Sequence, residues 1–205
     1  MTLKIFNSFS QQKEEFSPLE PGVVKIYACG PTVYDEPHIG HLRSAYVFEV
    51  VRNYFKYTGN KVRFVRNVTD VDDKIIDKAR ESGSADLNEG TKKVAEKYFD
   101  LYKRDLRRLG IRDPDFEPRA TQFIPQMIEL IGILIERKHA YAAGGDVYFE
   151  VGSFGSYGEL SHQKMGQMLE EARVGANPNK KMPLDFALWK SAKEGEPSWE
   201  SPWGR

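Results

Sequence analysis

The residues best suited to chemistry in this sequence are two histidines three positions apart, His38 and His41, with Gly40 between them. Side chains at this spacing project from one side of a helix, and the first turn of a helix presents unpaired N–H groups that suit phosphates. Gly40 leaves room for a nucleotide to approach the backbone. The imidazoles can donate hydrogen bonds to phosphate oxygens as charge develops on phosphorus. Two histidines at a helix start can equally serve as caps, and the motif alone leaves both interpretations open.

Cys29 is the second group with chemical potential, and it is the only cysteine among 205 residues. A single cysteine excludes an internal disulfide and a metal site built from cysteines alone. A cysteine at a strand end is typical of a buried structural residue. The spacing alone favours that interpretation.

The segment around these residues predicts a strand–helix–strand unit. Residues 23–29 are rich in β-branched and aromatic side chains and predict a buried strand that stops at Gly30-Pro31. Residues 41–57 predict a helix ended by Gly59, and residues 61–68 predict a second strand. This order predicts parallel pairing and an α/β fold. The place of the histidine motif after the first strand favours nucleotide binding.

The predicted helix over 41–57 should have an apolar face and a water-facing side. The residues expected to face the core are Leu42, Ala45, Tyr46, Val50, Tyr54 and Phe55. The residues expected to face water are Glu49, Arg52 and Lys56.

Further elements are predicted downstream. Residues 91–109 and 121–138 predict helices, the second with isoleucines at 124, 128, 131 and 135 and with Pro125 in its first turn. A hairpin is expected at 141–151 around Gly144-Gly145, and another strand at 186–190. We therefore expect a nucleotide-binding half over residues 1–112 and an insertion over residues 113–205.

The composition constrains partners only weakly. Thirty basic residues balance thirty acidic ones, so contact with RNA would have to come from local patches. No apolar run reaches the ~18 residues of a membrane span. We expect a cytoplasmic protein without a membrane partner.

The residues that flank the histidine motif resemble those of one family. The His-x-Gly-His motif itself is shared by class I aminoacyl-tRNA synthetases and small nucleotidyltransferases. The matching stretches are Tyr27-x-Cys29-Gly30-Pro31-Thr32-Val33-Tyr34-Asp35, His38-Ile39-Gly40-His41 and Val65-Arg66-Asn67-Val68-Thr69-Asp70-Val71-Asp72-Asp73-Lys74-Ile75-Ile76. Together with Glu117-Pro118-Arg119-Ala120-Thr121 and Asp185-Phe186-x-Leu188-Trp189-Lys190, they closely resemble cysteinyl-tRNA synthetases.

The resemblance implies a fold and an activity. The fold is the Rossmann-like parallel sheet of a class I synthetase catalytic half (residues 1–112), followed by an α+β connecting insertion and the start of the return to the core (residues 113–205). The activity is ATP-dependent conversion of L-cysteine to cysteinyl-adenylate and transfer to tRNA(Cys), by a protein expected to be a monomer. ATP is a substrate, and Zn²⁺ is the expected cofactor.

The resemblance also assigns residues. His38 and His41 are the expected catalytic pair. The ATP pocket is expected to include Thr32, Tyr34, Asp35, His38, Gly40 and His41. Cys29, Gly30 and Thr69 match positions that contact cysteine, and Cys29 matches a zinc ligand that would bind the substrate thiolate through the metal. Asp70, Asp72 and Asp73 follow Thr69 at the expected start of a helix, where they can favour the helix N-terminus or hold the substrate ammonium.

In the family, the other zinc ligands, the Lys-Met-Ser-Lys-Ser loop and the anticodon-binding region lie beyond the stretch that this sequence matches. We therefore expect an incomplete zinc site and little aminoacylation by these residues alone. The alternatives are a non-catalytic nucleotide- or RNA-binding remnant and a relative that joins cysteine to an amino sugar. A small adenylyltransferase would suit the length but would not explain the insertion.

Overall fold

The computed structural model describes residues 3–166 and 177–205. Its elements, in chain order, are β1 (Lys4–Asn7), β2 (Gln12–Glu15), β3 (Val23–Ala28), α1 (Ile39–Tyr57), β4 (Lys61–Arg66), α2 (Asp73–Glu81), α3 (Leu87–Arg108), α4 (Ile124–Glu136), β5 (Ala140–Ala143), β6 (Asp146–Phe149) and β7 (Phe186–Trp189). Short 3-10 helices cover Ala120–Phe123 and Val151–Ser153. None of the helices in the described part of the chain is long and apolar enough to cross a membrane.

These elements form two compact units. One comprises residues 18–124 and 194–197, and the other the described parts of 1–17, 125–193 and 198–205. The first unit therefore includes residues 113–124. The division expected at residue 112 concerns the complete catalytic domain and stays a prediction.

The first unit contains the predicted strand–helix–strand arrangement. β3 pairs with β4 in parallel, from Val23 beside Lys61 to Ala28 beside Arg66, with α1 as the crossover. The parallel pairing and the α/β class are thus confirmed. Beyond the strand ends, Thr32 and Thr69 form one further parallel bridge. The core beneath this end gathers side chains from the two loops, α2 and α3, namely Val33, Val68, Ile75, Ala95 and Tyr98.

The two ends of α1 follow from local chemistry. At the C-terminus, Gly59 has a φ of +85° and donates to the Lys56 carbonyl, while Asn60 donates to Phe55. This pair of bonds is a Schellman motif, which needs a residue that tolerates positive φ. The predicted role of Gly59 is confirmed. At the N-terminus, His38 is the cap, so the helix starts two residues earlier than predicted.

The prediction for the faces of α1 was partly wrong. Glu49 and Arg52, expected in water, are 6% and 5% exposed, whereas Tyr46, Val50 and Tyr54 are 43–53% exposed. The reason is that distant charged groups meet the polar side of the helix. The Arg52 Nη1 donates to the Asp113 carbonyl at 2.8 Å, and Glu49 accepts from the Arg112 Nε at 2.7 Å.

The remaining α1 residues lie as expected. Ala45 and Phe55 are buried, Leu42 packs against a cluster of buried residues from α1, α3 and the segment after α3, and Lys56 is exposed.

The second unit has an antiparallel sheet in the order β5-β6-β7. Gly144 and Gly145, with φ of +63° and +87°, make the two-residue turn between β5 and β6. The predicted hairpin and the strand near residues 186–190 are confirmed. α4 packs on this sheet through Ile131, beside Ala140 and Val147. It starts three residues later than predicted because a 3-10 helix precedes it.

The hairpin β1–β2 was not predicted. Its turn contains no glycine, and Gln11 adopts a φ of +55° that non-glycine residues rarely take. The Gly- and Asn-rich stretch over residues 152–183 lies partly outside the described residues.

Candidate active site

His38 and His41 meet at the start of α1, as their spacing predicts. Their ring centroids are 4.0 Å apart. The His38 Nδ1 accepts a hydrogen bond from the Gly40 N–H at 3.1 Å, and the His41 Nδ1 accepts one from the His38 N–H at 3.3 Å. Each ring therefore satisfies a backbone donor at the helix end, as in a capping box. The capping interpretation describes real contacts of both residues.

Capping also fixes which nitrogen of each ring carries the proton. Because Nδ1 accepts in both rings, the proton of each neutral imidazole is on Nε2. Each ring can thus donate one hydrogen bond to a bound group while it still holds the helix. Partial burial, and then the electrostatic effect of the neighbouring His38 ring, lowers the pKa of the His41 imidazole. His41 is therefore neutral at pH 7 and acts as a polar donor without a full charge.

Cys29 follows directly after β3 and is exposed, so the buried structural role that its spacing favoured is wrong. It lines a cavity of about 190 Å³ at the carboxyl ends of β3 and β4. The other lining residues are Ala28, Gly30, Pro31, Gly40, His41, Ser44, Ala45, Phe48, Phe64, Arg66 and Tyr102. Ligands of open parallel sheets bind at this end of the strands. The cavity thus brings together four of the predicted site residues, Cys29, Gly30, Gly40 and His41.

Two glycines let the backbone close around this cavity. The Gly30 N–H donates to the Asn67 Oδ1 at 2.9 Å, and a Cβ on Gly30 would lie 1.6 Å from the Asn67 carbonyl oxygen. Only glycine fits there without moving the strand ends apart. A Cβ on Gly40 would lie 2.8 Å from the His38 ring, so any side chain would displace the cap. Both glycines are required for the positions of their neighbours.

The other predicted site residues lie near the cavity in sequence but do not line it. Thr69 donates its N–H to the Pro31 carbonyl at 3.1 Å, and Thr32 bridges to Thr69. The Tyr34 ring packs against the core cluster and faces the Lys74 ammonium at 5.0 Å. Asp35 is exposed and pairs with Lys78 at 3.8 Å. The structure therefore gives these residues architectural contacts, and their binding roles stay predictions.

The three aspartates after Thr69 lie in different surroundings. Asp72 caps α2 by accepting from the Lys74 N–H, and Asp73 lies in its first turn. Asp70 is 8% exposed and accepts from the Thr121 N–H at 3.0 Å and from the Thr121 hydroxyl at 2.6 Å. Both oxygens of Asp70 are engaged, so this carboxylate secures the segment before α4 and does not face an open ligand site.

Sequence reasoning missed two polar groups of the cavity. Ser44 lies one helical turn after Gly40, and Arg66 is the last residue of β4. In the sequence, Arg66 stands out only as part of a stretch that resembles cysteinyl-tRNA synthetases. Its place at the carboxyl end of a parallel strand could have indicated a cavity residue, because the side chains there meet the ligand in such sheets.

A zinc site requires several donors around one point, usually four. Within residues 3–166 and 177–205, no three His, Cys, Asp or Glu side chains lie close enough to hold a metal ion. The described residues therefore supply Cys29 as a single candidate ligand and do not fit a complete zinc site. His139 and His162 lie elsewhere, bonded to the Ser153 hydroxyl and the Ser8 carbonyl respectively, each at 2.9 Å.

Comparison with solved structures supports the fold. The chain is similar to the LeuRS–tRNA–LeuAMS ternary complex of Agrobacterium radiobacter K84 agnB2, with a TM-score of 0.55 and 15% identity. The match covers 77% of this chain and 24% of that one. At this identity the likeness concerns the fold alone.

Comparison with known sequences identifies the family. The chain is 49% identical over 204 residues to the cysteine–tRNA ligases of Syntrophobacter fumaroxidans and of Brevibacillus brevis. Both matches cover the whole chain, which spans only 40% and 42% of the length of these relatives. Residues 15–205 match the family model of the class I (C) tRNA synthetase catalytic domain. The chain therefore belongs to the family of class I (C) tRNA synthetase catalytic domains.

Proposed function

We propose that this chain supplies the ATP-binding and amino-acid-binding half of a cysteine–tRNA ligase. The observation that carries the proposal is the pair of Nε2–H donors that His38 and His41 hold at the N-terminus of α1, next to the cavity lined by Cys29. The relatives named cysteine–tRNA ligase support the identity of the amino acid. In this proposal residues 1–112 are the first half of the catalytic domain, and residues 113–205 are the connecting insertion and the start of the return to the catalytic core.

The first step is adenylation. The carboxylate of L-cysteine attacks the α-phosphorus of ATP, a carboxylate–phosphorus bond forms, and the bond to the β-phosphate breaks to release pyrophosphate. His38 and His41 donate hydrogen bonds to phosphate oxygens as negative charge builds on them. The helix N-terminus adds the field of its backbone dipoles. No proton transfer is required of either imidazole.

The second step transfers the cysteinyl group. A hydroxyl of the 3′-terminal adenosine of tRNA(Cys) attacks the carbonyl carbon, and AMP leaves. Thr32, Tyr34, Asp35 and Gly40 are proposed to shape the ATP pocket, and Cys29, Gly30 and Thr69 the cysteine pocket. We also propose that the protein acts in the cytoplasm, as a monomer.

Zinc is included in the proposal only as an ion that Cys29 would help to bind. A zinc ion would supply direct recognition of the substrate thiolate, which an apolar pocket cannot provide. Because the described residues do not complete such a site, no step above depends on the metal.

Cysteine-dependent exchange of labelled pyrophosphate into ATP tests the proposal. The chain is expected to exchange label with L-cysteine and ATP, and to do so at least ~100-fold more slowly when both histidines are replaced by asparagine. Serine and valine in place of cysteine serve as controls for selectivity. ATP binding without any exchange would contradict the catalytic proposal and favour a binding remnant.

The same assay separates the amino-sugar ligase. Addition of tRNA(Cys) should yield at most a little acid-precipitable labelled cysteine, because little aminoacylation is expected of these residues alone. Addition of an amino sugar should leave cysteine consumption unchanged, and consumption that depends on the sugar would assign the other activity.

A further inference from the structure

Arg66 stands out among the charged residues of the first unit because its charge is poorly compensated. The residue is 2% exposed, and its Nε and Nη1 have no hydrogen-bond partner in the described part of the chain. Both nitrogens are also shielded from solvent. A buried cation with unsatisfied donors is costly unless something pairs with it.

The nearest carboxylate does not complete the pairing. The Arg66 Nη2 lies 3.4 Å from the Glu117 Oε1, a long contact. The other oxygen of Glu117 accepts from the Lys103 ammonium at 2.8 Å. The Tyr102 ring lies 5.5 Å from the guanidinium and adds only a cation–π contact. Glu117 is thus shared between two buried cations.

Arg52 provides an internal comparison, because it is an equally buried arginine of the same unit that does not line the cavity. Its Nη1 donates to the Asp113 carbonyl at 2.8 Å, and the Glu49 and Asp115 carboxylates each lie 3.7 Å away. Two carboxylates and a carbonyl therefore surround Arg52, although its Nε is unpaired. Arg66, in contrast, contacts one carboxylate, which it shares with Lys103, and it lines the cavity.

The cavity indicates what the missing partner is. Its volume of about 190 Å³ is below the roughly 300–1,000 Å³ of pockets for drug-sized ligands, so it suits a group smaller than a nucleotide. Arg66 lines it together with Cys29, Ser44 and His41. The contact of Arg66 with a carboxylate is the long one to Glu117, so pairing with a ligand requires the guanidinium to turn from Glu117 towards the cavity that the residue lines. Guanidinium groups pair well with carboxylates in such sites.

We propose that Arg66 binds the α-carboxylate of the amino acid in this cavity and so orients the reacting group. The inference rests on the proposed function, because the ligand is the substrate of that reaction. Bound carboxylate would supply the negative charge that Glu117 provides only in part. Arg66 would thereby hold the attacking oxygen between the end of β4 and the histidine pair on α1.

Binding of L-cysteine and cysteamine to the full chain, measured by calorimetric titration, tests the proposal. Cysteamine keeps the thiol and the amine but lacks the carboxylate. The wild-type chain is expected to bind L-cysteine at least ~10-fold more tightly than cysteamine. Arg66→Met should abolish this preference and Arg66→Lys should keep part of it, because lysine retains the charge but not the planar group.

Arg52→Met is the matched control, since it removes an equally buried arginine that does not line the cavity. It should lower stability and leave the preference unchanged. If Arg66→Met fails to fold, Glu117→Gln replaces it as the test. Loss of the competing carboxylate should raise the preference above the wild-type value.

Three results would overturn the proposal. They are a folded Arg66→Met chain with the wild-type preference, an unchanged preference in Glu117→Gln, and no L-cysteine binding by the folded wild-type chain. In a further experiment, binding of inorganic phosphate is measured for the wild type and for Arg66→Met. Loss of phosphate binding in Arg66→Met, with equal binding of cysteine and cysteamine by the wild type, would assign the anion to a phosphate and overturn the carboxylate.

The result of these binding experiments can be distinguished from the result of the pyrophosphate-exchange test of the proposed function. If the chain shows no pyrophosphate exchange but still has the Arg66-dependent preference for L-cysteine, the proposed reaction is contradicted and the proposed carboxylate site is retained. Exchange by a chain whose preference does not depend on Arg66 contradicts the binding site alone.

Discussion

At the start of α1, the His38 ring accepts a hydrogen bond from the Gly40 N–H at 3.1 Å, so this side chain stabilises the helix whatever it does in catalysis. Asparagine caps helices well, whereas alanine does not. His38→Asn should keep the free energy of unfolding within about 0.5 kcal/mol, and His38→Ala should lower it by about 1 kcal/mol. Both should slow pyrophosphate exchange by ~100-fold or more. Full exchange activity in His38→Asn would limit the residue to capping.

Gly30 illustrates a residue whose absence of a side chain matters. A Cβ there would lie 1.6 Å from the Asn67 carbonyl oxygen, so Gly30→Ala must separate the ends of β3 and β4. We expect a loss of roughly 3 kcal/mol or more in urea unfolding. Gly132→Ala is the control, because no atom lies within 4 Å of its added Cβ and alanine favours α4 by about 0.5–1 kcal/mol. Similar effects of the two substitutions would contradict the close approach.

The His41 imidazole gives the site a pH dependence. Burial, followed by the electrostatic effect of His38, lowers its pKa in the folded chain, so the folded state resists protonation. Its contribution to stability is therefore complete above the ordinary histidine pKa of ~6.5 and is lost as the pH falls through the lower folded value. Protonation would also remove the acceptor of the His38 N–H.

Unfolding free energies measured from pH 8 to pH 5 check this dependence. The wild-type chain should lose more stability over that range than His41→Asn, which cannot titrate there. Parallel curves for the two chains would show that His41 titrates as it does in the unfolded chain.

At the scale of elements, the strand–helix–strand unit could be predicted because its signals are local. α1 ends through the bonds of Gly59 and Asn60 to residues only three and five positions back, respectively. The Gly144-Gly145 turn is equally local. Because His38 is the cap, α1 begins only two residues before its predicted start.

The buried side of α1 could not be predicted from its own sequence. Glu49 and Arg52 are buried because Arg112 and Asp113 meet them from some sixty residues away. A helical pattern ranks charged residues as water-facing and contains no information about such partners. For the same reason Arg66 was missed as a cavity residue, since its exposure and its partners depend on α3 and on Glu117.

Arg52→Met tests this charged cluster. Removal of one partner leaves Glu49 buried and less compensated, so the free energy of unfolding should fall by about 3 kcal/mol. Lys56→Met, on the exposed side of the same helix, should change it by less than about 0.5 kcal/mol. The measurement is urea unfolding followed by circular dichroism. Equal small effects would mean that the cluster adds nothing to stability.

At the scale of the whole molecule, thirty basic and thirty acidic residues leave no net charge to attract RNA over long distances. Binding of tRNA by this chain should therefore weaken far less between 50 and 200 mM salt than the ~10³–10⁵-fold typical of proteins with 6–10 phosphate contacts. Filter binding at several salt concentrations measures this slope.

A steep salt dependence would contradict the expectation and indicate a local basic surface. The groove lined by Lys78, Lys93 and Lys97 on α2 and α3 is the candidate in the first unit. Loss of the steep slope in a chain with Lys93→Ala and Lys97→Ala would locate the contact there.

The single exposed thiol of the chain has a practical consequence. Because Cys29 is the only cysteine and lines the cavity, a maleimide or iodoacetamide reagent modifies one position, at the mouth of the candidate site. Occupancy of the cavity can then be followed as protection from alkylation, by intact mass, without a radioactive substrate. The same thiol accepts a fluorophore or a spin label without any cysteine having to be removed first.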